Sequence, residues 1–129
     1  MEARLRRLRA AGEMLREFSE AAARMLGDSA TLVLFGSRAR GEAGPASDYD
    51  VAAIFAERPS GDEYWRLLSE IRSAKPAGLP LDVVLLGLEE LEDPLVRRML
   101  DGCVILHDGL RIGDKLRAIG ARPASDTLI

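Results

Sequence analysis

The sequence predicts an α/β (α+β) domain in which a small mixed β-sheet of three to four strands is flanked by helices. Three features carry this. Short, almost wholly apolar runs of strand length recur at TLVLF (31–35), DVAAIF (50–55) and LDVVLL (81–86). Longer amphipathic stretches precede the first run and separate the second from the third. The connections also differ in kind. A short excursion joins the first two runs, so they can pair antiparallel. A helix joins the second to the third, which makes a parallel right-handed crossover the natural arrangement.

Taken in order, residues 2 to about 26 form the first helix, because Leu5, Leu8, Leu15, Phe18, Ala22 and Met25 recur at steps of three and four between Arg and Glu. Gly27-Asp28-Ser29 ends it. Thr31 to Phe35 is the first strand, stopped by Gly36, and a short helix over Ser37 to about Gly41 follows. The loop from Glu42 to Ser47 contains Gly44-Pro45, and Asp50 to Phe55 is the second strand. A helix from Glu63 to about Ala74 points Trp65, Leu68 and Ile71 inward. Pro76 to Pro80 breaks the chain ahead of the third strand, Leu81 to Leu86. Helical turns at Leu88 to Leu91 and Leu95 to Asp101 are separated by Pro94. Val104 to Leu106 adds a short fourth strand, Leu110 to Ile119 a last helix, and the final ten residues (GARPASDTLI) a loose tail. With no internal repeat or linker, residues 1–129 read as one domain: an N-terminal helix over 2–26, a core over about 30–107, and a C-terminal helix and tail over 108–129.

Composition narrows the function. The net charge of -3 argues against a protein that binds nucleic acid directly, where a basic face is expected. The apolar runs are too short to span a bilayer, and Met-Glu-Ala-Arg-Leu-Arg-Arg is not followed by the apolar region of a secretory signal. Cys103 is the only cysteine, which rules out an intrachain disulfide and fits a reducing cytoplasm. One Cys and one His make a zinc site of the usual ligand types a poor fit.

The chemistry concentrates between Leu34 and Val51, in the text LFGSRARGEAGPASDYDV. Gly36-Ser37, leaving an apolar strand, offers backbone N–H groups and a hydroxyl to phosphates. Asp48 and Asp50, two apart at the start of a strand, point to one face and can share a divalent cation. If the first two strands pair antiparallel and the second and third parallel, Gly36-Ser37, Asp48, Asp50 and Asp82 collect at one edge of the sheet. Three gathered carboxylates repel one another, and a hard cation such as Mg²⁺ relieves that repulsion. The parts then describe nucleotidyl transfer. Asp48, Asp50 and Asp82 are the metal and catalytic set for two Mg²⁺ ions: Asp48 and Asp50 are ligands, and Asp82 shares the second metal and accepts, or electrostatically favours loss of, the proton of the attacking hydroxyl. Gly36, Ser37 and Ser47 are the candidate nucleotide contacts.

Each half of this pattern alone is an ordinary turn, and Asp82 alone an ordinary solvated strand start. Their coincidence with a topology that brings them together is what carries the reading. Arg38 and Arg40 adjoin the phosphate site as candidate clamps, but residues two apart on a helix diverge, so at most one faces a triphosphate. Cys103, in an apolar run, reads as a small core residue, and His107 has no evident partner. Trp65, at helical spacing, reads as core, with an adenine platform as the alternative.

These residues resemble the minimal nucleotidyltransferase family of the DNA polymerase β superfamily, whose hallmark is a Gly-Ser, an Asp-x-Asp shortly after it and a third Asp on a following strand. The match lies in Gly36-Ser37, Asp48-x-Asp50 and Asp82, in the wider Gly-Ser-Arg-Ala-Arg-Gly and Ser-Asp-Tyr-Asp, and in the closing Val-Arg-Arg-Met-Leu-Asp-Gly-Cys-Val-Ile-Leu-His (96–107). The resemblance implies a nucleotidyltransferase fold and Mg²⁺-dependent transfer of AMP from ATP. It further implies the antitoxin of a HEPN/nucleotidyltransferase toxin–antitoxin module, which adenylylates a tyrosine of its HEPN toxin partner in the cytoplasm. Two other readings remain open: an antitoxin that acts by binding alone, and transfer to a small molecule as in aminoglycoside-modifying relatives.

Overall fold

The computed structural model describes residues 2–44 and 46–124; within the first helix, side chains are described at 3, 6 and from 10 onward. Pro45, the tail from 125, and the expected burial of Leu5 and Leu8 lie outside the described residues.

Helix α1 (Glu2–Leu26) lays Ala11, Leu15, Phe18, Ala22 and Leu26 along one buried stripe. Met25 was expected on that stripe but is exposed, because the three-and-four spacing from Ala22 is completed by Leu26 instead. Strand β1 (Ala30–Phe35) follows, then a single helical turn α2 (Ser37–Arg40), strand β2 (Tyr49–Phe55) and helix α3 (Gly61–Ser73). Strand β3 (Leu81–Gly87) leads through a 3-10 turn (Leu88–Glu92) to helix α4 (Pro94–Leu100), strand β4 (Val104–Asp108), helix α5 (Gly113–Ala118) and strand β5 (Arg122–Pro123). Pro94 does not merely separate two helical turns. It occupies the first position of α4, where its missing N–H costs nothing, and the Asp93 side chain accepts from the Leu95 amide at 2.8 Å.

The sheet is five-stranded in the order β3-β2-β1-β4-β5. β1 pairs antiparallel with β2, and β2 pairs parallel with β3, as the connections predict; β1 also pairs antiparallel with β4, a pairing the connections leave open. The fifth strand is a correction to the expected three or four. The stretch taken as tail turns back, and the Arg122 amide bonds the Cys103 carbonyl at 2.9 Å, so β5 runs parallel to β4.

Strand alternation divides the core into two layers. On one face Leu32, Leu34, Tyr49, Val51, Ala53 and Leu85 pack against α1 and against Leu68 and Ile71 of α3. On the other, Val33, Ala52, Ile54 and Leu86 pack beneath Leu91, Leu100, Cys103, Ile112 and Leu116. Trp65, expected inward, is 67% exposed: the inward stripe of α3 is Tyr64, Leu67, Leu68 and Ile71, and Trp65 lies one position round the helix from it. His107 does find a partner, since its Nε2–H donates to the Gly27 carbonyl at 2.6 Å. Cys103 is fully buried, and burial pushes its thiol up to about 11, which makes it a core residue rather than a nucleophile. Among the described residues, no helix is long and apolar enough to cross a membrane.

Candidate active site

The second layer of helices covers the Leu86 end of the β2–β3 pair and stops short of the other end, and that uncovered end carries the acids. Asp50 stands directly opposite Asp82 on the parallel neighbour β3 and opposite Phe35 on β1. In-register residues on adjacent strands are about 5 Å apart along the hydrogen-bonding direction and share a face. Asp50 is half-buried, whereas Asp48, immediately ahead of β2, and Asp82 are exposed. The Asp50 carboxyl is raised above its ordinary pKa, first by burial and then by the charges of Asp82 and Asp48. Asp50 therefore senses both of the other expected acids at one end of the sheet.

Gly36 lies beneath them. Its φ of 77° is in a region that side chains avoid, and a Cβ there would sit 2.6 Å from Asp50 Oδ2. The glycine lets the backbone leaving β1 run directly under the Asp50 carboxylate. Ser37 then opens α2, in which the Ala39 and Arg40 amides both bond the Gly36 carbonyl, at 3.1 and 3.2 Å. The amides of Ser37 and Arg38 precede those bonds and belong to the open start of the turn. Gly41, also at positive φ, closes it.

The two arginines diverge as their spacing requires. Arg38 donates through Nε and Nη2 to the Ser47 carbonyl, at 3.1 and 2.7 Å, and its guanidinium lies 4.2 Å over the Tyr49 ring. Arg40 turns away to an exposed pair with Glu42 at 3.1 Å, worth little on its own. Ser47 Oγ accepts from the Gly44 amide at 3.2 Å, so that hydroxyl serves the loop. Tyr49 escaped the sequence reading although it sits between the two acids. Its ring is buried, burial raises its phenol pKa while Arg38 offsets part of the rise, and its amide bonds the Pro80 carbonyl at 2.8 Å. The alternation that sets Asp48 and Asp50 on the site face was the available signal, because it must set Tyr49 on the core face.

Another carboxylate, on β4, is structural. Asp108 accepts from Thr31 Oγ1 (3.0 Å) and from the amides of Ile112 and Gly113 (both 2.9 Å), tying β1 to the start of α5.

The three site acids are hard oxygen donors, which suits a divalent cation of the Mg²⁺ type. Among the described residues, no group of three or more His, Cys, Asp or Glu side chains forms a ready-made metal cage. The donors thus fit such an ion in kind, while their side chains are not already closed around one.

An exposed acidic end of a mixed sheet, with a glycine turn beneath it, defines a class of phosphate-transfer enzymes rather than a structural module. The chain belongs to the nucleotidyltransferase domain family, whose model matches residues 15–107. Two solved structures share its fold. A protein of Sulfolobus solfataricus provisionally assigned as a nucleotidyltransferase superposes with a TM-score of 0.54 at 20% identity, over 77% of this chain and 84% of its own. A chain from a toxin–antitoxin structure determined with AMP-PNP superposes with a TM-score of 0.51 at 19% identity, over 81% and 85%. No curated protein sequence matches the chain.

Proposed function

We propose that this nucleotidyltransferase transfers AMP from ATP to a hydroxyl, the acceptor being a tyrosine of a HEPN toxin for which the chain is the antitoxin. The observation that carries the site is the in-register pairing of Asp50 with Asp82 across parallel strands, with the Gly36 backbone under Asp50. The fold shared with a chain of a toxin–antitoxin structure containing AMP-PNP supports both the nucleotide and the kind of partner.

Asp48, Asp50 and Asp82 would hold Mg²⁺, which when bound neutralises the acid cluster and the charge gathering on the pyrophosphate. The chain's own residues do the rest. Gly36, Ser37 and the open amides of α2 cradle the β- and γ-phosphates, fixing the α-phosphate toward the acids. The acceptor oxygen bonds to the α-phosphorus, the bond from that phosphorus to the bridging β-phosphate oxygen breaks, and pyrophosphate leaves with the electron pair. The hydroxyl proton passes to Asp82, which as an exposed carboxylate releases it to solvent.

Intact-mass measurement tests this. The purified chain is incubated with ATP, Mg²⁺ and the product of the neighbouring reading frame. The expected result is one or more AMP units on the partner, lost when Asp48 and Asp50 are changed to Ala. A stable complex without AMP would reduce the chain to a binding antitoxin. Neither complex nor AMP would redirect the search to small-molecule acceptors.

A further inference from the structure

Asp48 has no strand to hold it. It sits just ahead of β2, at the end of a loop, and its side chain is exposed. A metal ligand so placed is only as well aimed as the backbone on either side of it. A peptide unit is planar, so fixing a carbonyl also fixes the amide of the following residue. The Ser47 carbonyl shares its plane with the Asp48 amide, and the Asp48 carbonyl shares its plane with the Tyr49 amide. The second plane is fixed by the Tyr49 amide's bond to the Pro80 carbonyl at 2.8 Å. The first is fixed by Arg38, whose Nε and Nη2 both reach the Ser47 carbonyl at 3.1 and 2.7 Å. The same guanidinium lies 4.2 Å over the ring of Tyr49, on the other side of Asp48, and that ring is buried in the core.

We propose that Arg38 is a positioning residue: one guanidinium grips both neighbours of Asp48 and so aims the Asp48 carboxylate at the metal it shares with Asp50. This role rests on the metal-site reading above, and it replaces that of a phosphate clamp for Arg38. It also explains why arginine suits the position. A planar fork can donate twice to one carbonyl while stacking on an aromatic face, whereas a lysine ammonium offers a point charge with no plane to stack.

The test measures Mn²⁺ binding by the nucleotide-free chain, through water-proton relaxation, beside AMP-PNP binding in EDTA. Changing Arg38 to Ala or to Lys is expected to weaken Mn²⁺ binding about tenfold or more, the scale at which groups supporting a metal ligand act. AMP-PNP binding in EDTA stays at the wild-type level, and kcat falls while the KM for ATP changes little. If Arg38→Ala proves unstable, Tyr49→Leu keeps the core filled and removes the stacking face; Mn²⁺ binding again weakens, by a smaller factor. Wild-type Mn²⁺ affinity in the Arg38 variants overturns the positioning role. So does weakened AMP-PNP binding in EDTA, which is the mark of a phosphate clamp. A wild-type chain that binds no Mn²⁺ overturns the metal site, and the role of Arg38 with it.

Discussion

Asp50 and Ile54 lie on one strand and one face of the sheet, yet they answer to opposite demands. Ile54 is fully buried under the second helical layer, beside Leu86 and Leu100. Asp50, two strand repeats away beyond Ala52, is where that layer ends, and there the chain crowds three carboxylates instead of covering the sheet. The far end of β2 serves the fold, while the near end carries a standing electrostatic cost of the kind a bound divalent cation would relieve.

The largest effect on this contrast should come from emptying the far end. Ile54→Ala removes a side chain with no access to solvent and is expected to destabilise the fold by about 2–5 kcal/mol, read by denaturant unfolding. Transfer per folded molecule should stay near the wild-type rate. Asp50→Asn does the reverse. Transfer should fall by about 10²–10³-fold, the scale at which a single electrostatic contact of a transition state is lost, while the melting temperature at neutral pH rises. The sign follows from the direction of the Asp50 shift. Its pKa is raised in the folded chain, so its stabilising contribution is full below the unfolded value and is lost as pH rises through the folded one. At neutral pH the ionised carboxylate therefore weakens the fold, and asparagine removes that penalty. Loss of activity with equal loss of stability would dissolve the contrast.

A smaller effect sharpens it from the sealed side. The Cys103 thiol, pushed up to about 11 from 9.0, holds its proton in the fold, so its contribution is full below the unfolded value and is lost as pH climbs toward the folded one. Native protein should react with a thiol reagent about 10²-fold more slowly than unfolded protein, in line with its smaller thiolate fraction. Replacing Cys103 with Ala should remove part of the alkaline loss of stability between those two values. Rapid modification of the native chain would show that this layer opens.

Much of this was legible beforehand because it rests on alternation and on connection length. β1, β2 and β3 are strongly apolar runs, and the short link between the first two and the helix before the third dictate how they pair. That pairing alone gathers Gly36, Asp50 and Asp82. What escaped the text depends on tertiary partners. β5 is two residues long with Pro123 in it, so no periodicity marks it, and it exists because the Arg122 amide meets the Cys103 carbonyl. Trp65 read as core on its helical spacing from Leu68, but Tyr64, Leu68 and Ile71 already fill the inward stripe of α3. Arg38 and Arg40 were alternative candidate clamps on proximity, and the hydrogen bonds of Arg38 to the Ser47 carbonyl across the loop are a contact that no spacing rule foretells.

Asp82 is the acid that only topology brings to the site, so it tests the account most directly. The measurement is the rate of AMP transfer to the partner by an Asp82→Asn chain, with its melting temperature recorded alongside. The account predicts a fall of about 10²–10³-fold with the fold intact. A variant that folds normally and transfers AMP at the wild-type rate would contradict it, because the pairing of Asp50 with Asp82 would then have no part in the chemistry.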